Sequence, residues 1–434
     1  MSKKSNKSII LSVLVLPVFF SGLFAGISPC KEATPTPATL EFWSVFDDSD
    51  VFDPLIKQYK EVSPNITINY SKKNIASYEQ DLVNALATGR GPDIFSIHNT
   101  WLPKHENKLA PALEAIISAK RFGELFVDVA SQDFISGGKV YALPLTVDTL
   151  ALFYNKDLFN SAGIATAPQT WTEFNSAVEK LTRRDNKNNI LQSGAALGTA
   201  KNINRSTDIL MALMLQSGAK MINDTHDQAA FDQDVTTQGD NFNPGRQALI
   251  FYTNFASPGL KVYTWNQYQN YSIDAFVEGK VAMMLSYNYQ LPLIKARAAH
   301  LEMAMAPLPQ ISKTSKKVTF ANYWAQAVGR SSKNQVEAWK FLAWLASPEI
   351  SRQYLELTKK PAARRDLIEE QKKDADLGVF ADQALYAKSW WEKDNLAIEG
   401  IFADMIEGVN TGKITAESSL RQAAAQINLI LREQ

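Results

Sequence analysis

Asp47, Asp48, Asp50 and Asp148 are the carboxylates that could work in pairs, and two carboxyl groups flanking a glycosidic bond suffice to hydrolyse it. Other signatures of catalysis are missing. Four histidines, His98, His105, His226 and His300, are scattered, and none has the His-Glu-x-x-His spacing that sets two imidazoles on one helical face for zinc. There is no Gly-x-Ser-x-Gly elbow and no phosphate-cradling Gly-x-x-x-x-Gly-Lys loop. The single cysteine, Cys30, rules out an internal disulfide and a Cys-rich zinc site. Asp185-Asn186-Lys187-Asn188-Asn189 starts like a calcium loop but lacks its glycine and closing glutamate, so it reads as a solvated turn. No cofactor and no metal are expected.

A second grouping suits binding better than catalysis. Trp43 and Asp47 follow one expected strand, and His98, Asn99 and Trp101 follow another. Tyr287, Asn288 and Tyr289 come after a third, and Asn322-Tyr323-Trp324 forms a further cluster. In open α/β sheets, ligands bind where loops converge beyond the carboxyl ends of strands. Flat aromatic faces suit the C–H faces of a sugar ring, while carboxylates and amides take its hydroxyls. Trp339 and Trp344 lie within an amphipathic helix and read as core.

The elements that would position these residues alternate strand and helix. Leu40–Val45 reads as a strand, and Asp53-Pro54 as the cap and first turn of a helix reaching Val62 before Pro64. Ile66, Ile68 and Tyr70 alternate as in a strand; Ser77 with Gln80 forms a capping-box pattern ahead of a helix that Gly89 ends. Ile94–Ile97 and Leu150–Phe153 are further strands, and Thr170 with Glu173 makes another capping box. Val281–Leu285 and Met303–Pro309 read as strands, Ser332 with Gln335 caps a helix, and a last helix starts near Thr415. Asp224–Asp240 reads as a polar surface insertion. This order predicts an α/β protein with largely parallel sheets.

Composition narrows the function. The chain carries 45 Lys+Arg against 45 Asp+Glu, without the basic excess of a nucleic-acid binder. With 45% hydrophobic residues it has enough core formers for two or three domains or one two-lobed unit. Lys3, Lys4 and Lys7 precede an uncharged apolar run from Ser8 to Pro29, the pattern of a secretory signal, although the run is also long enough for an uncleaved spanning anchor. Either arrangement places the remainder outside the cytoplasmic membrane. Ile27-Ser28-Pro29-Cys30 resembles the lipobox of bacterial lipoproteins, with Pro29 departing from the usual small residue. Lys31–Thr39, with Pro35 and Pro37, then reads as an extended tether.

Several segments in order resemble the extracellular solute-binding proteins of ABC sugar importers. Gly91-Pro92-Asp93-Ile94-Phe95 is one, and Tyr141-Ala142-Leu143-Pro144 with Asp148-Thr149-Leu150-Ala151-Leu152-Phe153-Tyr154-Asn155-Lys156-Asp157-Leu158-Phe159 is the most specific. The likeness continues through Pro168–Phe174, Ala275–Met283, Pro307-Leu308-Pro309 and Ser332–Glu349. It implies a two-lobed periplasmic-binding-protein-like α/β fold, each lobe a mainly parallel sheet flanked by helices, with a hinge between lobes. The implied organisation is a signal peptide at 1–29, a tether at 30–38, lobe 1 at 39–147 and 313–349, and lobe 2 at 148–312 and 350–434. Implied ligand contacts, carried over by position, are the loop after Trp43 with Asp47, then His98, Asn99 and Trp101, Asp148, Tyr289, Trp324 and Arg364, which with Trp43 itself make nine expected contact residues. The protein would be a monomer that captures a carbohydrate and delivers it to permease subunits without catalysis. It would be lipid-anchored through Cys30 on the outer face of the cytoplasmic membrane, at the cell surface or in the periplasm. A secreted carbohydrate-active enzyme and a binder of a non-sugar solute are the rival readings. A phosphorylated ligand would call for Arg or Lys at strand ends, where few occur.

Overall fold

The computed structural model describes residues 37–237 and 240–432. The expected signal segment, Cys30 and most of the tether lie outside the described residues. Within them, ten strands build two sheets: β1 (Ala38–Ser44), β2 (Ile66–Lys72), β3 (Ile94–His98), β4 (Ala142–Pro144), β5 (Ala151–Asn155), β6 (Arg183–Arg184), β7 (Ile190–Ala195), β8 (Val281–Ser286), β9 (Met303–Ala306) and β10 (Trp324–Val328). The first sheet has the order β2-β1-β3-β10-β4, and the second β9-β5-β8-β7-β6.

Period-two patterning sets strands beside the sheet centre. In β1, Leu40 and Phe42 are fully buried while Glu41 between them is exposed. Central strands are apolar on both faces: every residue of β3 and β8 is buried, as helices covering both sides of a sheet demand. Burial of each large apolar side chain contributes about 1.5–3 kcal/mol, which outweighs local propensity. The helix Ser49–Val62 illustrates this, since it starts before the expected cap and carries Pro54 inside. Phe52, fully buried and packed 5.1 Å from Phe42 and 4.6 Å from Tyr70, holds that first turn in place.

Both sheets are mixed where the strand–helix order predicts mainly parallel ones. In the first, β1 pairs parallel with β2 and β3, but β10 runs antiparallel to β3 and β4. In the second, β5 runs antiparallel to β8 and β9. The reason is connectivity. Strands β5 and β10 are entered directly from the other lobe, so they start at the edge where their neighbours end.

Two buried clusters define the lobes. One holds residues from Leu40 to Val147 with others between Ala321 and Ala387, and the other residues from Leu150 to Leu308 with Phe320, Phe380 and Trp390–Ile427. The division expected at 349/350 differs from this packing: Ile350, Tyr354, Leu367 and Ile368 bury in the first cluster. The chain therefore crosses three times, near 148, 320 and 388. The crossings brace one another through pairings of Thr149 with Ala321 and Thr319-Phe320 with Ala387-Lys388.

Helix starts divide. Thr170 Oγ1 accepts the Glu173 N–H at 3.2 Å, as a capping box requires. Ser77 instead bonds Asp81, and its backbone is already helical at φ −111°, ψ −4°. Ser332 likewise turns its hydroxyl to Asp93 and leaves the helix Gln335–Leu345 without a side-chain cap. The Asp185 turn closes on itself, Oδ1 accepting the N–H groups of Lys187 and Asn189 at 2.8 Å each.

Candidate functional site

The carboxyl ends of β1, β3 and β8 and the amino ends of β5 and β10 face a cleft of about 1070 Å³ between the lobes. Its floor on the first lobe is set by sheet register. Ser44, Ser96 and Gln326 come from three adjacent strands and bond in a row, Ser96 Oγ reaching Ser44 Oγ at 3.0 Å and Gln326 Oε1 at 2.9 Å.

Six of the nine expected contact residues line this cleft: Asp47, His98, Trp101, Asp148, Tyr289 and Trp324. Trp324 opens β10, where it pairs with His98. Its ring meets those of Phe46 at 5.4 Å, Trp101 at 5.1 Å and His98 at 5.4 Å, all edge-on. Edge-to-face packing fixes the orientation of these rings. On the second lobe Tyr289 is 45% exposed and stacks on buried Tyr287 at 5.9 Å.

Asp148 sits on the first crossing and organises the second-lobe wall. Its Oδ1 accepts the N–H groups of Thr149 at 2.8 Å and Asn288 at 3.0 Å, and its Oδ2 that of Tyr289 at 3.0 Å. Burial pushes its pKa up to about 7, and the three backbone donors resist that rise. Asp47 accepts from Tyr354 Oη at 2.7 Å and pairs with Lys360. Both candidate carboxylates are thus committed to protein partners, and Asp48 pairs with Lys72 instead of entering the cleft. His98 is buried, and burial lowers its pKa to about 4, leaving it neutral at pH 7. Its Nδ1 lies 2.8 Å from Thr100 Oγ1 and its Nε2 3.2 Å from Asn322 Oδ1. Since Asn322 Nδ2 donates to Asp208, its Oδ1 accepts, which assigns the proton to His98 Nε2.

Three expected residues lie elsewhere. Trp43 points to the opposite side of β1 from Phe42 and Ser44, beneath Lys73 Nζ at 4.0 Å from its ring centre. Asn99 is buried and donates to Asp133 Oδ2 at 3.1 Å, alongside Tyr323 Oη at 2.7 Å and the hydroxyl of Ser389. Burial raises the pKa of Asp133 to about 7 against these donors. Arg364 is buried, bonded to the Ala346 carbonyl at 2.9 Å and to Asp366 at 2.7 Å. Lys360 and Pro361, four and three residues earlier, reach the cleft in its place.

Other lining residues carry no signal in the sequence. Phe46 is 49% exposed at the cleft rim, two residues beyond β1. Arg205 adopts a left-handed backbone at φ 54° ahead of the helix Ser206–Gln216. Its guanidinium grips buried Asp208 through Nε at 2.9 Å and Nη2 at 2.8 Å, and Glu399 at 3.0 Å. Tyr287 Oη also donates to Asp208, at 2.7 Å, so Asp208 is a hub beneath the cleft wall.

The family described as bacterial extracellular solute-binding protein matches residues 44–351 of the chain. The maltodextrin-binding protein MdxE of Bacillus subtilis is 27% identical over 385 residues, covering 83% of this chain and 83% of that protein. A putative binding protein of Brucella abortus is 25% identical over 430 residues, covering 95% of this chain and 98% of the relative. Among solved structures, the cyclic alpha-maltosyl-1,6-maltose binding protein of Arthrobacter globiformis aligns with a TM-score of 0.76 at 19% identity, covering 91% of this chain and 99% of that one. The sugar-binding protein MalE of Xanthomonas citri aligns with a TM-score of 0.74 at 21% identity, covering 91% and 97%. These structures share the two-lobed α/β fold. With its two sheets, three crossings and interlobe cleft, the chain belongs to the bacterial extracellular solute-binding proteins.

Proposed function

We propose that the protein captures an uncharged oligosaccharide in the interlobe cleft and hands it, chemically intact, to the permease of an ABC importer. The observation that carries this reading is the pairing of exposed aromatic surface with neutralised charge in one large cleft. Phe46 and Trp324 on the first lobe and Tyr289 on the second offer ring surface to C–H groups. Asp47 is paired with Lys360, and Arg205 with Asp208 and Glu399, so an ionic ligand at these groups would compete with bonds the protein makes itself. A volume of about 1070 Å³ exceeds what a single sugar ring needs. The relatives named for maltodextrin, maltotriose and galactooligosaccharide support the same class of ligand.

Capture works through closure. Ligand contacts divided between the lobes favour the closed form, and moving a population from 1:99 to 99:1 takes about 5.5 kcal/mol of differential binding. In this reading Asp47, His98, Trp101, Asp148, Tyr289 and Trp324 form the site, and Trp43, Asn99 and Arg364 support the fold around it. The first 29 residues act as the export signal, and Cys30 carries the lipid that tethers the monomer at the outer face of the membrane. The test is a thermal-shift series with neutral malto-, galacto- and arabino-oligosaccharides, followed by chromatography of the recovered sugar. At a hundredfold excess over the dissociation constant, a ligand of the folded state adds about 2.7 kcal/mol of stability. A shift with at least one of these sugars, recovered unaltered, is expected. No shift with any of them, or release of shorter products, would overturn the reading.

A further inference from the structure

We propose that Lys104 and Asp394 form a latch between the lobes that favours the closed cleft before any ligand arrives. Lys104 follows β3 in the first lobe. Its Nζ lies 2.9 Å from Glu79 Oε1, on the first-lobe helix Tyr78–Ala87, and 2.8 Å from Asp394 Oδ2. Asp394 caps the helix Asn395–Asn410, whose Ile398, Phe402 and Ile406 bury in the second-lobe core. The two side chains are 290 residues apart in sequence, and each belongs to a different lobe. Lys104, Glu79, Asn395 and Leu396 all line the cleft, so the bridge stands in its wall.

The first-lobe half of the latch is preassembled. His105 Nε2 sits 2.9 Å from the same Glu79 oxygen that Lys104 contacts. That hydrogen bond leads the effects that lower the Glu79 pKa to about 2, so its carboxylate stays ionised and anchors Lys104. Burial disfavours charge on Lys104, but bonds to Asp394 and Glu79 prevail and keep its pKa above the ordinary lysine value. A first-lobe ammonium is thereby held at the cleft wall, aimed at a second-lobe carboxylate. Opening the cleft pulls these charges apart. Apparent affinity for a ligand of the closed form scales with the closed fraction, so the latch raises affinity without touching the ligand.

Asp394→Asn separates the latch from the fold. Asp394 Oδ1 accepts the Ala397 N–H at 3.1 Å, and asparagine caps a helix as well as aspartate does while losing the charge that Lys104 needs. At 33% and 30% side-chain exposure the pair is open to screening by salt. Small-angle scattering of the unliganded protein should show the wild type expanding as NaCl is raised from low to molar concentration. Asp394→Asn should already be expanded and indifferent to salt, with an unchanged melting temperature. The dissociation constant of whichever oligosaccharide binds should rise about two- to fivefold, the range of a half-exposed ion pair. Lys104→Gln should reproduce the scattering change. Identical profiles and salt responses in wild type and Asp394→Asn would overturn the latch, as would expansion in Asp394→Asn that Lys104→Gln fails to share. Scattering uses no sugar, so this outcome is independent of the ligand proposed above.

Discussion

Replacing Asp133 with asparagine should stabilise the protein above neutral pH and leave it nearly unchanged near pH 4. Asp133 is buried where the first-lobe helix Asp128–Phe134 meets the third crossing, and it takes hydrogen bonds from Ser389, Tyr323 and Asn99. Burial moves its pKa from 3.8 to about 7. An acid whose pKa is raised in the folded chain favours folding in acid. That contribution is fully present below pH 3.8 and lost as the pH rises through 7. The interval of about 3 pH units corresponds to about 4 kcal/mol, at ~1.4 kcal/mol per unit. Asparagine matches the protonated form in shape: its Oδ1 can accept from Tyr323 and Asn99, and the Ser389 hydroxyl can turn to accept from its Nδ2. No buried partner is orphaned. Urea unfolding at pH 4, 5.5, 7 and 8.5 should therefore show the variant gaining on the wild type by up to about 4 kcal/mol, with the gain complete by pH 8.5. His98 acts in the opposite sense: its pKa is lowered, so its contribution is lost as the pH falls below 6.5, but it is present in both proteins and cancels. Parallel stability curves across the range would refute the reasoning.

Phe46→Ala and Tyr289→Ala should each weaken sugar binding about tenfold or more by titration calorimetry, with unfolding free energy changed by about 0.5 kcal/mol for exposed Phe46. Unaltered affinity in both would remove the aromatic walls from the account. Arg364→Ala should do the reverse, costing about 2–4 kcal/mol of stability by leaving Asp366 and the Ala346 carbonyl unpaired while ligand affinity at the remaining folded protein is unchanged. A selective loss of affinity would instead return Arg364 to the site. Cys30→Ser should move the expressed protein from the membrane to the soluble fraction; continued membrane association would point to an uncleaved amino-terminal helix.

What the sequence discloses and what it hides follow from the range of each interaction. Strand alternation and the turn at Gly89 are local, and the structure keeps them: Gly89 has φ 69° at the end of the helix Tyr78–Ala87. The box at Thr170 forms because Glu173 returns a bond to the Gln169 N–H at 2.8 Å, whereas Ser77 loses its hydroxyl to Asp81. The Asp-Thr-x-Ala-Leu-Phe-Tyr-Asn-Lys run keeps Asp148 beside β5, the strand it leads into, because crossing and strand are contiguous in sequence. The failures concern direction and distance. Trp43 lies one residue out of phase with Ser44, so it leaves the cleft face entirely. Arg364 sits in a segment whose lobe depends on where the chain crosses, and that crossing comes near 388, not 350. Arg205, Glu399 and Phe46 reach the cleft through a contact spanning 194 residues or through a loop trajectory, neither of which leaves a periodic trace.

The central claim is that two lobes close around a neutral oligosaccharide, and the most direct measurement is small-angle scattering at molar NaCl, where the Lys104–Asp394 pair is screened, with and without the tightest-binding sugar of the thermal-shift series. Closure predicts a smaller radius of gyration at saturation, reached in proportion to occupancy. A radius that stays constant through saturation would contradict it.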